Sequence, residues 1–138
     1  MTPCPRLAAD IIIEFPDGEI VLVRRGIEPF KGMWALPGGG VEIGERVEEA
    51  AVREAKEETG LDIRLEGLVG VYSDPKRDPR GHVVSIVYRA VPVGGIFQAD
   101  TDAAEVIKTG PKPDFPLAFD HAQILTDWTA TRLRKGRQ

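Results

Sequence analysis

The segment that most constrains the fold is residues 38–60, GGGVEIGERVEEAAVREAKEETG, which has glycines at both ends. Between residues 42 and 58 it contains seven glutamates but only three basic residues. Glutamate is a good helix former, and Gly60 can adopt the left-handed conformation that commonly ends a helix. We therefore predict a helix over residues 44–59 that is capped by Gly60, the one long helix candidate in the first half of the sequence.

This helix would gather carboxylates on one face. At about 100° per residue, Glu54, Glu57 and Glu58 fall within an arc of roughly 100°. Like charges at this spacing repel one another, and a single guanidinium, that of Arg53, cannot neutralise all three. A hard divalent cation such as Mg²⁺, which prefers oxygen ligands, would compensate. The alternative is a solvated face with partial counterions, but small apolar residues border these glutamates, which favours a site.

The composition points to one domain that does not bind nucleic acid. The chain has 138 residues, 42% of them hydrophobic, which suits a single domain over residues 1–138. Its formal net charge of -4 equals the excess of seven acids over three bases in residues 42–58, so the other 15 acids and 15 bases cancel. There is no broad basic face, and we expect no nucleic-acid polymer as a partner.

Cysteine usage and hydropathy favour the cytoplasm. The single cysteine, Cys4, cannot form an internal disulfide, which fits a reducing compartment. The first ten residues lack the charged and apolar regions of a secretory signal, and no apolar run approaches the ~20 residues that span a bilayer. We expect a cytoplasmic protein without a membrane partner.

The remaining pattern predicts an α/β sandwich. Two runs rich in β-branched residues are predicted to form a hairpin through Pro16, Asp17 and Gly18, whereas residues 26–40 are predicted to be an irregular binding loop. A last helix is predicted to start with Asp120 as its N-cap. The predicted strands are residues 7–15, 19–25, 68–72, 82–93 and 106–107, and the last helix is residues 119–133.

The fixed residues of the glutamate-rich segment resemble the signature of the Nudix hydrolases. Gly39 is followed after five residues by Glu45, and after seven more by residues 53–61, REAKEETGL. Every fixed residue of that signature is in place, although Ala55 is smaller than the aliphatic residue that is frequent at its position. The resemblance implies an α/β fold, namely a Nudix-type α/β/α sandwich with a mixed β-sheet.

The same resemblance implies roles for individual residues. The implied metal ligands, for Mg²⁺ or Mn²⁺, are Gly39 through its carbonyl, Glu54, Glu57 and Glu58, and the implied catalytic residues are Glu54, Arg53, Glu57 and Glu105. Family members cleave a pyrophosphate bond in a nucleoside diphosphate linked to another group, and metal ions can neutralise that diphosphate and lower the pKa of the attacking water. The general base varies within the family, so Glu54 and Glu105 both remain candidates.

Substrate contacts are predicted from segments outside the signature. Residues 72–82, YSDPKRDPRGH, place cations on a backbone stiffened by proline, which suits phosphate binding; the alternative is a charged surface loop. Together with residues 117–125, LAFDHAQIL, this segment resembles the ADP-ribose pyrophosphatase branch of the family and related Nudix-like ligand sensors. The predicted substrate-binding residues are Arg25, Tyr72, Lys76, Arg77 and Arg80.

The expected reaction is therefore metal-dependent hydrolysis of ADP-ribose to AMP and ribose 5-phosphate. The alternatives are a MutT-like pyrophosphohydrolase that acts on nucleoside triphosphates, including oxidised purine nucleotides, and a non-catalytic ADP-ribose sensor. Relatives that accept ADP-ribose are often dimers, so the resemblance also implies a homodimer. His82 and His121 lack partners at metal-ligand spacing, and we predict that both are structural.

Overall fold

A computed structural model describes residues 3–98 and 103–136. It contains seven strands and two helices in these residues: β1 (Arg6–Ile13), β2 (Ile20–Arg25), β3 (Trp34–Ala35), β4 (Gly38–Gly40), α1 (Val47–Thr59), β5 (Leu61–Tyr72), β6 (Val83–Gly95), β7 (Ala103–Thr109) and α2 (His121–Gly136). Within this part of the chain no helix has the length and apolar character needed to cross a membrane.

The strands form two sheets. One sheet has the order β4-β1-β6-β5, in which β1 is parallel to β6 and the other neighbours are antiparallel. The second has the order β3-β2-β7 and is antiparallel throughout. Parallel and antiparallel pairs within one sheet, together with two helices, confirm the predicted α/β class with a mixed sheet.

The strands lie between the two helices because β1 and β2 bury both of their faces. Alternate residues of a strand point to opposite sides. Ile11 packs in a core cluster with the buried alanines of α1, whereas Ile12 packs in a second cluster with Ile124 and Trp128 of α2. All three isoleucines of β1 are fully buried. This explains the uninterrupted apolar run in β1 and produces the α/β/α layering.

The predicted hairpin between the first two long strands is wrong beyond its turn. Phe15 and Glu19 are joined by a backbone hydrogen bond of 2.8 Å, and Glu14 makes an isolated antiparallel bridge to Ile20. The strands then enter different sheets. Both edges of β1 are already occupied, one by β4 and the other by β6, so β2 has no free edge of β1 with which to pair.

Helix α1 begins three residues later than predicted. Gly44 has φ of 87°, a left-handed conformation that an α-helix cannot contain, so the chain turns there before entering the helix at Val47. The end of the helix is confirmed: Gly60 has φ of 77° and its N–H donates to the carbonyl of Lys56 at 3.0 Å. The next strand, β5, starts immediately at Leu61, seven residues before the predicted start.

The predicted irregular loop, residues 26–40, contains two short strands instead. β3 pairs with β2, and β4 pairs with β1, so this segment connects the two sheets. Gly39 allows the backbone of β4 to run close to α1, since a Cβ at this position would lie 2.5 Å from the Glu54 carboxyl carbon. The segment therefore brings backbone groups directly against the carboxylates of the helix.

Candidate active site

A cleft of about 360 Å³ opens beside β4, between α1 and the segment that precedes α2. Acidic and basic side chains from distant parts of the sequence line it, together with the glycine backbone of β4. Its charged and aromatic lining residues include Asp10, Arg25, Glu54, Glu58, Arg77, Asp78, Arg80, Phe119 and His121.

The acidic wall of the cleft comes from α1. Glu54 and Glu58, one helical turn apart, both line it. The N–H of Gly38 donates to Glu58 Oε2 at 3.1 Å, and Gly39 adjoins the Glu54 carboxylate. The absence of a side chain at Gly39 is what lets the Glu54 carboxylate approach the strand.

Burial makes these two carboxyl groups harder to ionise. Burial raises the pKa of Glu58 to about 8, and the negative charges of Glu54 and Asp10 act in the same direction, whereas the Gly38 N–H opposes the shift. The pKa of Glu54 is also raised, mainly by burial, against the opposing hydrogen bond from Arg53. Such a pair would be stabilised by a cation in the cleft.

Arg53 holds the base of this acidic wall in place. Its Nε and Nη2 donate to the two Glu45 oxygens at 2.7 and 3.0 Å, and its Nη1 donates to Glu54 Oε1 at 2.8 Å. The same Nη1 reaches Glu57 at 3.3 Å, and Nη2 donates to the Gly40 carbonyl at 3.1 Å. Arg53 is therefore placed to orient Glu54, while Oε2 of Glu54 receives no hydrogen bond within the described residues.

The donor set suits a hard divalent cation. Glu54, Glu58 and the adjacent glycine backbone offer only oxygen ligands, which Mg²⁺ and Mn²⁺ prefer. Glu57 is 55% exposed and lies outside the cleft lining. Accordingly, among residues 3–98 and 103–136 no group of three or more carboxylate, histidine or cysteine side chains forms a metal cluster. The residues present fit a cation held by two carboxylates and backbone, with water and substrate oxygens completing its shell.

The basic wall includes a partly buried arginine, Arg25, whose terminal amino groups are free. Arg25 Nε donates to the Pro29 carbonyl at 2.6 Å, but its terminal amino groups have no hydrogen-bond partner in the described part of the chain. Burial, and secondly the charge of Arg80, lower the pKa of Arg25. A partly buried guanidinium without a carboxylate partner is suited to bind an anion.

The other two arginines predicted to bind substrate are engaged by carboxylates. Arg80 makes hydrogen bonds to both oxygens of Asp78, at 3.1 and 2.8 Å, and keeps half of its side chain exposed. Arg77 is almost fully buried and forms a two-point pair with Asp120 at 2.9 and 2.7 Å. The Asp120 carboxylate thus binds Arg77. Within the described residues it accepts no hydrogen bond from a backbone N–H at the start of α2, where we predicted it to be the N-cap.

Arg77 and Arg80 both line the cleft, whereas, in addition to Arg53 and Glu57, three residues of the predicted site lie outside its lining. The Tyr72 hydroxyl donates to Asp127 at 2.8 Å, and its ring packs against the core beneath α2. Lys76 is exposed on the loop between β5 and β6. Glu105 lies on β7, where it pairs with Arg24 at 2.9 Å.

Sequence reasoning missed Asp10 and Phe119, and it gave His121 no place at the cleft. Asp10 is buried at the cleft, where it accepts a hydrogen bond from the Ser85 hydroxyl. The buried His121 accepts the Leu36 N–H at Nδ1 over 3.0 Å, so its Nε2 carries the proton, 3.9 Å from Asp10. The sequence did contain one signal for Asp10, since it is the lone carboxylate within the apolar run of β1.

Comparison with known proteins identifies the class. The family model described as the NUDIX domain matches residues 5–127, and the chain belongs to the Nudix family, whose hydrolases use divalent metal ions. Among individual proteins, it is similar to the ADP-ribose pyrophosphatase of Methanocaldococcus jannaschii, with 52% identity over 128 residues that make up 90% of this chain and 73% of that enzyme. The chain spans 48% to 57% of the length of three further curated relatives.

Solved structures agree with this assignment. The NUDIX domain of Shewanella oneidensis NrtR complexed with ADP ribose matches with a TM-score of 0.82 and 26% identity, over 96% of this chain and 90% of that one. A bifunctional NMN adenylyltransferase/ADP ribose pyrophosphatase from Francisella tularensis, complexed with AMP and a manganese ion, matches with a TM-score of 0.80 and 27% identity, over 94% of this chain and 42% of that one. The chain is a Nudix pyrophosphohydrolase.

Proposed function

We propose that this protein hydrolyses ADP-ribose to AMP and ribose 5-phosphate in the cleft beside β4. The proposal rests on one cleft that contains two partly buried carboxylates, those of Glu54 and Glu58, together with the free terminal amino groups of Arg25. A diphosphate needs a cation on one side and hydrogen-bond donors on the other. The similarity to enzymes and a binding domain named for ADP-ribose supports the substrate.

The metal would be Mg²⁺ or Mn²⁺, held by Glu54, Glu58 and the Gly39 carbonyl, with Glu57 as a further ligand from the exposed rim. When bound, the metal ion neutralises diphosphate charge and lowers the pKa of a coordinated water. The all-oxygen donor set of these residues supports the site. The manganese ion in the Francisella enzyme is consistent with this choice.

The side chains of this protein then divide the remaining tasks. Arg53 holds Glu54 through Oε1, which leaves Oε2 to accept the proton of the attacking water. Arg25 donates to a phosphate oxygen through its terminal amino groups. We favour Glu54 over Glu105 as the base because Glu105 lies outside the cleft lining and pairs with Arg24.

We propose the same setting that the sequence suggested: one domain, in the cytoplasm, acting as a homodimer. One domain is supported by β1 and β2, which contribute to both core clusters. Leu68 and Val71 on the sheet-edge strand β5 are 61% and 56% exposed, which supplies an apolar surface for a second copy. Sedimentation of the purified protein as a monomer at all concentrations would rule out the dimer.

A substrate panel tests the proposed reaction. Purified protein with Mg²⁺ is incubated separately with ADP-ribose, NADH and a set of nucleoside triphosphates that includes oxidised purines, and the phosphate-containing products are separated by chromatography. We expect AMP and ribose 5-phosphate from ADP-ribose at the highest kcat/KM. Pyrophosphate released chiefly from triphosphates would favour the MutT-like alternative, and tight ADP-ribose binding without metal-dependent turnover would favour the sensor.

A further inference from the structure

The ring of Phe119 lies at the centre of the basic wall. Phe119 lines the cleft, and the guanidinium carbons of Arg25 and Arg80 lie 4.9 and 5.6 Å from its ring centroid. Phe30 meets the same ring edge to face, with centroids 4.8 Å apart and an interplanar angle of 64°. One aromatic side chain is therefore shared by two cations and a second aromatic ring.

The backbone at this contact adopts an unfavourable conformation. Phe119 has φ of 53° and Phe30 has φ of 60°, and these are the only residues other than glycine with positive φ in the described ranges. Bulky side chains rarely adopt this region, which persists where the surrounding structure requires it, often at functional sites. Because the two strained residues pack on each other, the fold holds this ring at one place against the cleft.

The ring can offset the repulsion between the two arginines. Arg25 and Arg80 are both positively charged, and this repulsion lowers the pKa of Arg25. The negative face of an aromatic ring attracts cations and so offsets this repulsion. Arg80 is further anchored by Asp78, and Arg25 by the Pro29 carbonyl at its Nε. The ring and these anchors together leave the terminal amino groups of Arg25 available to a ligand.

We propose that Phe119 is a positioning residue for diphosphate binding: its ring fixes the Arg25 and Arg80 guanidinium groups so that they face the diphosphate of the substrate. This inference deepens the proposed function and rests on it for the identity of the substrate. It assigns no chemical step to the ring.

A double-mutant cycle tests the inference with inorganic pyrophosphate as the probe, by calorimetry in the presence of Mg²⁺. Phe119→Leu keeps an apolar side chain at the strained position but removes the ring. We expect about tenfold weaker pyrophosphate binding, the upper part of what one cation–π contact contributes. In an Arg25→Ala background the same change should weaken binding less, because only Arg80 is then left for the ring to position. The inference would be overturned if Phe119→Leu bound pyrophosphate as the wild type does, or if the double variant lost as much binding free energy as the two single variants together.

Controls separate positioning from folding. Phe115→Leu makes the same substitution in the segment before α2, outside the cleft lining, and should bind pyrophosphate normally. Phe119→Tyr retains the ring and should restore binding. If Phe119→Leu does not fold, Phe119→Met, which has similar bulk and no ring, replaces it in the cycle with the same two outcomes.

Kinetics with ADP-ribose separates this inference from the proposed function. Phe119→Leu should raise KM by about the same tenfold factor while kcat changes less than about twofold, since the ring helps substrate binding rather than the chemical step. A matching fall in kcat would contradict positioning. If the wild-type protein does not hydrolyse ADP-ribose but the pyrophosphate cycle is non-additive, the proposed function fails and the inference about Phe119 stands.

Discussion

Glu58 is the residue whose ionisation is most disturbed by its surroundings. Its carboxyl group is partly buried between Gly38 and Glu54, and burial raises its pKa to about 8, compared with 4.5 for an unperturbed glutamate. In the metal-free protein, Glu58 therefore holds a proton at pH values where the unfolded chain has lost it. The contribution of this proton to the free energy of unfolding is complete below pH 4.5 and is lost as the pH rises towards 8.

This shift predicts the pH dependence of stability. With a chelator present, the midpoint of thermal unfolding should fall between about pH 5 and 8, and Glu58→Gln should flatten that decline because glutamine does not titrate. Glu48→Gln, an exposed change on the same helix, should leave the decline unchanged. Added Mg²⁺ should stabilise the wild type more at pH 8 than at pH 6, since it competes with the proton. Parallel curves for wild type and Glu58→Gln would contradict the assignment.

At the scale of residues, the cleft lining includes residues that the signature predicted, Gly39, Glu54 and Glu58, and residues predicted from outside it, Arg25, Arg77 and Arg80. The spacing of Glu54 and Glu58 on one helix is local information, and both line the cleft. Arg25 also lines it, but the side-chain partners of Tyr72, Arg77 and Phe119 depend on packing between distant segments. Nothing in residues 72–82 reveals that Arg77 is held by Asp120 while Arg25 is left free.

At the scale of elements, the close approach of β4 to α1 determines the shape of the cleft. Gly39 and Gly40 are neighbours on β4, but only Gly39 touches the helix carboxylate: a Cβ there would lie 2.5 Å from the Glu54 carboxyl carbon, whereas a Cβ at Gly40 would have its nearest neighbour at 4.0 Å. Neither glycine has a φ that excludes a side chain. The two positions therefore differ in the room available for a side chain and not in backbone strain.

This contrast predicts unequal effects of two alanine substitutions. Gly39→Ala should lower kcat/KM for ADP-ribose by about 100-fold or more, because its methyl group displaces Glu54 from its hydrogen bond with Arg53, and misplacement of a catalytic group by about 1 Å has effects of this size. Gly40→Ala should retain activity within a few fold. Initial rates and unfolding curves of both proteins provide the check, and equal activity would contradict the proposed contact.

The elements differ in how far sequence could predict them. The end of α1 depends on Gly60, whose left-handed conformation is a local property of the sequence, and this end was predicted correctly. Strands β3 and β4 are two and three residues long, too short to show a hydrophobic period, and exist because β2 and β1 supply their partners. The parallel pairing of β1 with β6 joins residues more than 70 positions apart, so the local turn signal favoured a hairpin instead.

At the scale of the whole molecule, the sandwich brings together residues that are far apart in the chain. Asp10 and Arg25 come from strands of different sheets, Glu54 and Glu58 from α1, and Phe119 from the segment before α2. The fold class followed from the signature and from the runs rich in β-branched residues, which are properties of segments. The composition of the cleft could not be predicted, because it depends on which strand edges pair and how the connections cross them.

If Glu54 on α1 serves metal-dependent hydrolysis in this cleft, its replacement should slow the reaction while other glutamates can be replaced without effect. The decisive experiment compares the initial rate of AMP formation from ADP-ribose with Mg²⁺ for the wild type, Glu54→Gln, Glu105→Gln and Glu48→Gln. We predict that Glu54→Gln alone loses about 100-fold or more in kcat, as expected for removal of a general base, with an unchanged fold. Near-normal turnover in Glu54→Gln, or an equal loss in Glu105→Gln, would contradict the account.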